Sequence, residues 1–509
     1  MVLSMTSINV AVPDVMGAFG IGQDKAQWMS TAYLATMTTG MLLSSWLISI
    51  LGERVIFLAT LSLFSIGAVV GGLAPTIDFV IFARVMQGLA AGITQPLVMA
   101  TLFNVFPPER RGSAMGVLGL GIVFAPAIGP TLGGIAIDLF SWRYVFFISL
   151  PLCAVAMVLG ALFMPSRRPP DRIPGFDWAG FGFLCVALMC LLTALADGQR
   201  EGWSSDYIVL LLTIGAVAAA GFILRELFAK APLLDLTIFA NPAFASAAMI
   251  GFIFGAGLLG STYVIPVFVQ TIQGYTPLRS GLLLMPAGLL LAFIFPLAGR
   301  VSDTMPSHIL ITGGLIVFAA AFFLMGAADV NTGFWTFAFF TMLTRLGLGF
   351  VNPVLNASAL KAVPPDKVRQ GAGAVTFIRQ LGGAFGVSLL VAFLEQRTHF
   401  HSEAFTATQS VGHGPSMDLI AIVGRMFGEI GLPAAEQDQM ALSYLGQVVY
   451  AQARTLAFQD TFMVIGIVAL LALIPAWAMS RSHRNERSAS PPRVAMPATS
   501  AVRPRQAAE

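Results

Sequence analysis

The sequence predicts an all-α polytopic membrane protein. Three observations carry this. Of 509 residues, 57% are hydrophobic and only 10% charged, with a mean hydropathy of +0.82; soluble globular chains carry about 25% charged residues. Apolar runs of about 20 residues, long enough to cross a bilayer as helices, recur along the whole length. The basic residues between those runs are unevenly shared between alternate loops, as the positive-inside rule requires.

Candidate spans fall at 1–16, 27–51, 55–74, 78–104, 113–137, 143–164, 178–197, 207–228, 243–271, 280–301, 308–328, 334–358, 371–395 and 459–480, fourteen in all. The first is short. Met1 to Met16 rises about 24 Å, less than the roughly 30 Å hydrocarbon core, so further apolar residues are expected upstream. With the N-terminus inside, the cytoplasmic segments hold 18 of the Lys and Arg residues and the outer segments 7. Both termini are then cytoplasmic. Between spans 13 and 14 lies a long polar outer loop, with an amphipathic piece carrying Leu442, Leu445 and Val449. The basic, Pro/Ala/Ser-rich tail has the composition of a disordered segment.

Three arginines, Arg84, Arg345 and Arg379, stand inside spans. Insertion scales put the cost of such a charge at roughly 2.5–3.5 kcal/mol, so each calls for a function. Two of them belong to a repeat. "FARVMQG", with Arg84 and Gly88, has an echo in "LTRLGLG", with Arg345 and Gly349. Each is followed by a similar loop, "FPPERRGSAMG" and "VPPDKVRQGAG". Two similar helical bundles in one chain suggest a parallel-repeat transporter with its substrate route between them.

The fifth span carries Gly121, Ala125, Gly129 and Gly133 at intervals of four, a side-chain-free stripe for close helix contact. Pro126 and Pro130 add a bend. Trp142 and Tyr144 after it read as interfacial anchors. Cys153, Cys185 and Cys190 lie in apolar runs and read as packing residues. His399 and His401 beside Glu395 and Glu403 read as solvated, and no metal site is expected.

These motifs resemble those of the major facilitator superfamily. Arg84-x-x-Gln87-Gly88 resembles its motif B. "APAIGPTLGG", with Ala125, Pro126, Gly129, Pro130, Gly133 and Gly134, resembles motif C, the antiporter motif. "GRVSD", ending in Asp303, resembles the core of motif A. "LSMTSINVAVP" looks like the first-span motif of the fourteen-span drug/proton antiporters, and "FDWAGFGFL", "DGQREGW" and "LLDLTIFANPAFA" resemble the extra central spans of that branch. There are departures: Ser4 and Ser49 stand where that branch carries acids.

The resemblance implies two six-helix bundles plus two inserted central helices. The N-terminal bundle is 1–164, the inserted pair with its flanking loops 165–242, the C-terminal bundle 243–480 with a periplasmic loop at 397–458, and the tail 481–509. It also implies proton-driven export of drugs or other amphipathic toxic compounds across a bacterial inner membrane. Arg84, Gln87, Gly88, Arg345, Asp303 and Asp14 are the candidates for coupling or gating. Asn9, Gln95, Tyr263, Gln270, Asn352, Asn356 and Gln380 are candidates for the substrate path, with helix–helix hydrogen bonding as an equally good account of each.

No P-loop, H-E-x-x-H or G-x-S-x-G motif is present, so no ATPase or hydrolase chemistry is expected. The chain needs no cofactor beyond a proton gradient. Its partners are small molecules and the lipid bilayer, with a periplasmic adaptor as a candidate for the outer loop; a net charge of +3 gives no reason to expect nucleic acid. One alternative is an exporter of a single physiological compound, such as a lipid, siderophore or metabolite. A membrane enzyme or scaffold would need a polar catalytic cluster, and none is visible.

Overall fold

A computed structural model describes residues 1–105, 125, 128–164, 175–229, 232–364, 367–409, 414–430 and 432–479. The expected tail, Gly121 and Pro126 lie outside them. The described residues contain eleven helices long and apolar enough to cross a membrane, or twelve with one bent pair.

The bent pair is α1, Val2–Val10 and Val12–Phe19, with 59° between its pieces. A single straight span was expected here. Pro13, in the first turn of the second piece, lacks an N–H, and Ile8–Val10 tighten into a 3-10 turn ahead of it. Next come α2 (Trp28–Leu51), α3 (Glu53–Gly72), α4 (Ile77–Val105), the short α5 (Ile128–Leu139) and α6 (Tyr144–Phe163). The central pair is α7 (Trp178–Glu201) and α8 (Asp206–Phe228). The remaining helices are α9 (Pro242–Thr271), α10 (Pro277–Thr304), α11 (Ser307–Met325), α12 (Phe334–Lys361), α13 (Val368–Thr408) and α14 (Ala434–Leu471).

Small residues decide which helices lie closest. α2 packs along α4, and α9 along α13. A Cβ on Gly88 would overlap Tyr33 O and Thr36 Oγ1; one on Gly382 would overlap Phe252 O. Phe268, Phe337, Phe458 and Phe462 form an aromatic knot joining α9, α12 and α14. α7 pairs with α8 and touches both α2 and α13. Trp46 of α2 meets Phe176 and Trp178 at ring-centroid distances of 5.1 Å. Asp177 caps α7 and accepts from Arg225 Nε of α8 at 3.0 Å. The outward faces of α6 and α8 are bare apolar surface, including Leu152, Leu162, Phe163, Leu224 and Phe228. Patches this large belong against lipid.

Two expectations need correction. Residues 397–458 are helical for most of their length. α13 runs 41 residues, about 60 Å. A separate helix, Gly414–Glu429, packs on α14, which itself begins at Ala434. The polar composition ends the apolar run, but no Gly or Pro stands between Gly386 and Gly412 to end the helix. Second, Trp142 is buried, edge-on to Phe19 at 5.5 Å with the Arg143 guanidinium over its ring. It packs inside the fold; Tyr144 is the exposed one.

Candidate functional site

The approach of α2 to α4, made by Gly88 and Gly92, shapes the surroundings of Arg84. Arg84 is 1% exposed. Its Nε donates to Met29 O at 2.8 Å, and its Nη1 to Gln87 Oε1 at 2.8 Å and to Ser4 Oγ at 3.5 Å. The guanidinium carbon sits 4.2 Å from the Tyr33 ring centroid, a cation–π contact. A guanidinium only donates, so Gln87 must turn its oxygen toward it. Two buried donors then have no hydrogen-bond partner: Arg84 Nη2 and Gln87 Nε2. Among the described residues no carboxylate contacts Arg84. Ser4 supplies a neutral hydroxyl at the position where the antiporter branch carries an acid. The carbonyl that holds Arg84 comes from α2, and α1 adds the Ser4 hydroxyl.

Beside Arg84 is a small cavity between α1, α2, α4, α9 and α13, lined by Met5, Asn9, Ser30, Leu34, Arg84, Leu259, Thr262 and Val387. Asn9 Nδ2 donates to Thr262 O at 3.2 Å, and Ser30 Oγ to Asn9 Oδ1 at 2.7 Å. Arg345 Nη2 reaches Thr262 Oγ1 at 3.5 Å from the far side. Arg84 thus borders the cavity directly and Arg345 through one threonine. Two more bonds close the same region. Gln270 Nε2 donates to Val10 O at 3.0 Å, and the Thr31 and Ser388 hydroxyls lie 3.2 Å apart.

The glycine stripe of α5 faces α1. A Cβ on Gly129 would overlap Thr6 Oγ1, and one on Gly133 would come within 2.8 Å of Ser7 O. The neighbouring residues face α10: Thr131 Oγ1 donates to Gly281 O at 3.1 Å, a Cβ on Gly281 would overlap Pro130 O, and Gly134 abuts Pro277 and Leu278. α5 is therefore wedged between α1 and α10. Ala125 is half-buried.

The other nominated residues are scattered. Asn352 and Asn356 meet Arg379, whose Nη1 donates to their side-chain oxygens at 2.8 and 3.4 Å. Gln380 Nε2 points at Met37 Sδ, 3.9 Å away. Tyr263 is fully buried with its hydroxyl unpartnered, and Gln95 Oε1 is likewise unpartnered. Asp14 is half-buried in the first turn of the second piece of α1, away from Arg84. Asp303 lies in the last turn of α10, and its side chain is outside the description. His401 Nε2 sits 2.7 Å from Asp460 Oδ2, which Arg397 also holds at 2.6 Å. Sequence reasoning missed Ser30 and Thr262, which carry no signal inside apolar runs. It marked Arg379 only as a charge inside a span and did not join it to Asn352 and Asn356.

Comparison with known proteins adds the following. Residues 1–387 match the family model of the Major Facilitator Superfamily. The chain is 30% identical over 435 residues to the uncharacterized MFS-type transporter YcnB of Bacillus subtilis, covering 84% of this chain and 90% of that protein. It is 28% identical over 481 residues to the lincomycin resistance protein LmrB of the same organism, covering 94% and 92%. With the multidrug resistance protein B homolog of Mycobacterium tuberculosis it shares 27% over 491 residues, covering 96% and 89%. Among solved structures, a POT family transporter in complex with a thioalcohol-conjugated peptide superposes with a TM-score of 0.64 over 94% of this chain and 93% of that one, at 14% identity. At that identity the likeness speaks for the fold alone.

Proposed function

The chain belongs to the major facilitator superfamily, and from that premise we propose that it is a fourteen-span, proton-driven exporter of amphipathic compounds in a bacterial inner membrane. The observation that carries the reading is the cavity where Arg84, Asn9 and Thr262 meet, between helices from the two ends of the chain. In this reading α1–α6 and α9–α14 are the two bundles, and α7 and α8 are the inserted pair. With both termini cytoplasmic, the bonds made by Asn9, Gln270 and Thr131 close the outer side of the cavity. Export requires those contacts to open in turn, and α5, wedged by its glycines, is the hinge.

Arg84, positioned by Gln87 and Gly88, is the coupling residue, with Arg345 as its second-half counterpart. Asp14 and Asp303 are the acids whose protonation or pairing changes at the two ends of the path. The similarity to LmrB and to the multidrug resistance protein B homolog supports drugs as cargo. A susceptibility panel in a pump-deleted host, with proton flux measured on each hit, tests the reading. No change for any compound, from a protein shown to be in the membrane, would defeat it.

The 397–458 arm is the candidate docking site for a periplasmic adaptor. α13 and α14 both exceed the membrane thickness. The arm leaves Met417, Ile422, Met426, Ile430, Leu442 and Tyr450 exposed, although the Gly414–Glu429 helix already covers part of α14.

A further inference from the structure

The export reading leaves open what kind of head group the cavity takes, and the following rests on that reading. We infer that the cavity beside Arg84, which in this closed form has room for about a single water, widens as the helices part to receive the anionic head of an amphipathic organic acid, with the apolar body against Met5, Leu34 and Leu259.

Asn9 donates one amide N–H to Thr262 O and accepts one bond from Ser30. Thr262 Oγ1 donates to Leu258 O and accepts from Arg345. Near the cavity the buried side-chain atoms with no hydrogen-bond partner at all include Arg84 Nη2, on a residue that lines it, and Gln87 Nε2, whose amide oxygen is bonded to Arg84. Both are donors, and one carries a permanent charge. Buried donors without acceptors are costly, and an oxygen anion is the ligand that relieves them most.

Charge points the same way. Arg84 touches only neutral groups, Arg345 adds a second guanidinium behind Thr262, and no described acid lines the cavity. An ammonium head would find only the spare lone pairs of neutral Ser30, Asn9 and Thr262 oxygens, with two cations against it. A bare inorganic anion would leave the Met5, Leu34, Leu259 and Val387 wall unused. An acid on an apolar body meets both halves of the lining.

The test uses three probes that share one aromatic body: 2-naphthoate, 2-naphthamide and 2-naphthylmethylammonium. Binding to the full chain in nanodiscs is measured by equilibrium dialysis, with protein-free nanodiscs subtracted for partition. The carboxylate is expected to bind at least about tenfold tighter than the ammonium, with the amide between. Arg84→Gln should bring the carboxylate down to about the level of the amide; Arg84→Lys should keep part of the preference. Equal or tighter binding of the ammonium overturns the inference, as does an intact carboxylate preference in Arg84→Gln, or displacement of naphthoate by chloride at equal concentration. The wild-type series decides the matter even if Arg84→Gln fails to accumulate. Transport in proteoliposomes separates the two claims. If the ammonium is exported while the carboxylate neither binds nor moves, the head-group assignment falls and export stands. If the carboxylate binds selectively and no probe moves, export falls and the assignment stands.

Discussion

Asn9 of α1 donates its amide to the carbonyl of Thr262 in α9 at 3.2 Å, a link across 253 positions of the chain. Ser30 completes it by donating to Asn9 Oδ1 at 2.7 Å. Each such bond contributes about 1 kcal/mol, and an unpaired buried partner costs more. Asn9→Leu keeps the branched outline of the side chain and removes both bonds. It is expected to shift the protein toward a form open between α1 and α9. In a chain with Cys153, Cys185 and Cys190 replaced by Ser, the added pair Thr31→Cys and Ser388→Cys reports on this. Those hydroxyls lie 3.2 Å apart, so the pair should cross-link readily, and Asn9→Leu should lower the yield severalfold. An unchanged yield would show that the bond plays no part in closure.

Gly129 sits where a Cβ would overlap Thr6 Oγ1 and lie 3.2 Å from Leu3 O. Gly129→Leu is expected to leave the protein in the membrane and cut export at least about tenfold by forcing α5 from α1. Gly313→Ala is the control, because nothing lies within 4 Å of its Cβ position. Normal export by Gly129→Leu would rule out the close contact as a moving part.

Much of the helix map was legible because lipid demands long apolar runs: α12 runs Phe334–Lys361 where 334–358 was expected. The burial of Arg84 was legible for the same reason, since a charge in such a run has few places to go. The break at Ala11 was hidden because Pro13 sits close to the apparent end of the span. Thr262 was hidden because a threonine can satisfy itself on its own helix, as its bond to Leu258 O shows, and so leaves no trace in the pattern. The partnership of Arg379 with Asn352 and Asn356 needed the register between α12 and α13, which one sequence does not contain. The helical arm was misjudged because hydropathy reports where lipid ends, and helix breakers report where helix ends.

Arg84→Ala is expected to abolish proton-coupled export with little loss of expression. It removes the charge, the bond to Met29 O and the partner of Gln87 Oε1 together. Arg84→Lys keeps a cation able to reach one of those acceptors, but loses the fork that reaches both, so partial export is expected. Proton flux and substrate flux measured in the same vesicles distinguish lost coupling from lost binding. Full export by a well-expressed Arg84→Ala protein would leave the arginine only a structural anchor.

Outside the spans, the Asp235 carboxylate accepts from Lys367 Nζ at 2.8 Å and from Thr237 Oγ1 at 2.6 Å. The Lys367 ammonium and the Thr237 hydroxyl hold its pKa below the usual carboxylate range. A depressed carboxyl contributes stability above its unfolded value, near 3.9, and loses it as pH falls through the folded value. The Lys367 side chain is 34% exposed, so the contribution is small, under about 1 kcal/mol. Asp235→Asn should therefore lower the melting temperature slightly at about pH 7, with the gap narrowing as pH drops below about 4. A gap that is the same at about pH 7 and about pH 3 would assign the loss to packing, not charge.

α13 and α14 reach about 60 and 57 Å, roughly twice the hydrocarbon core, so both continue as helix into water. The Gly414–Glu429 helix packs on α14, burying Ser416 and Val423 while Ile422 and Met426 face outward. Had the arm served only to brace the transporter, its apolar residues would be expected to turn inward. Leu442 instead stays exposed, and Leu445 and Val449 are half-covered. Replacing Ala407–Gly431 with a short Gly/Ser linker keeps α13 and α14 joined and removes the packed helix. Export by purified protein in vesicles should be unchanged, because α14 does not line the cavity and Val387, where α13 does, lies about 30 Å along the helix from Ala407. Resistance of intact cells should fall, because cargo released at the outer face would no longer be handed on. If vesicle export and cell resistance fall together, the arm braces the α13–α14 pair, and the adaptor reading is wrong.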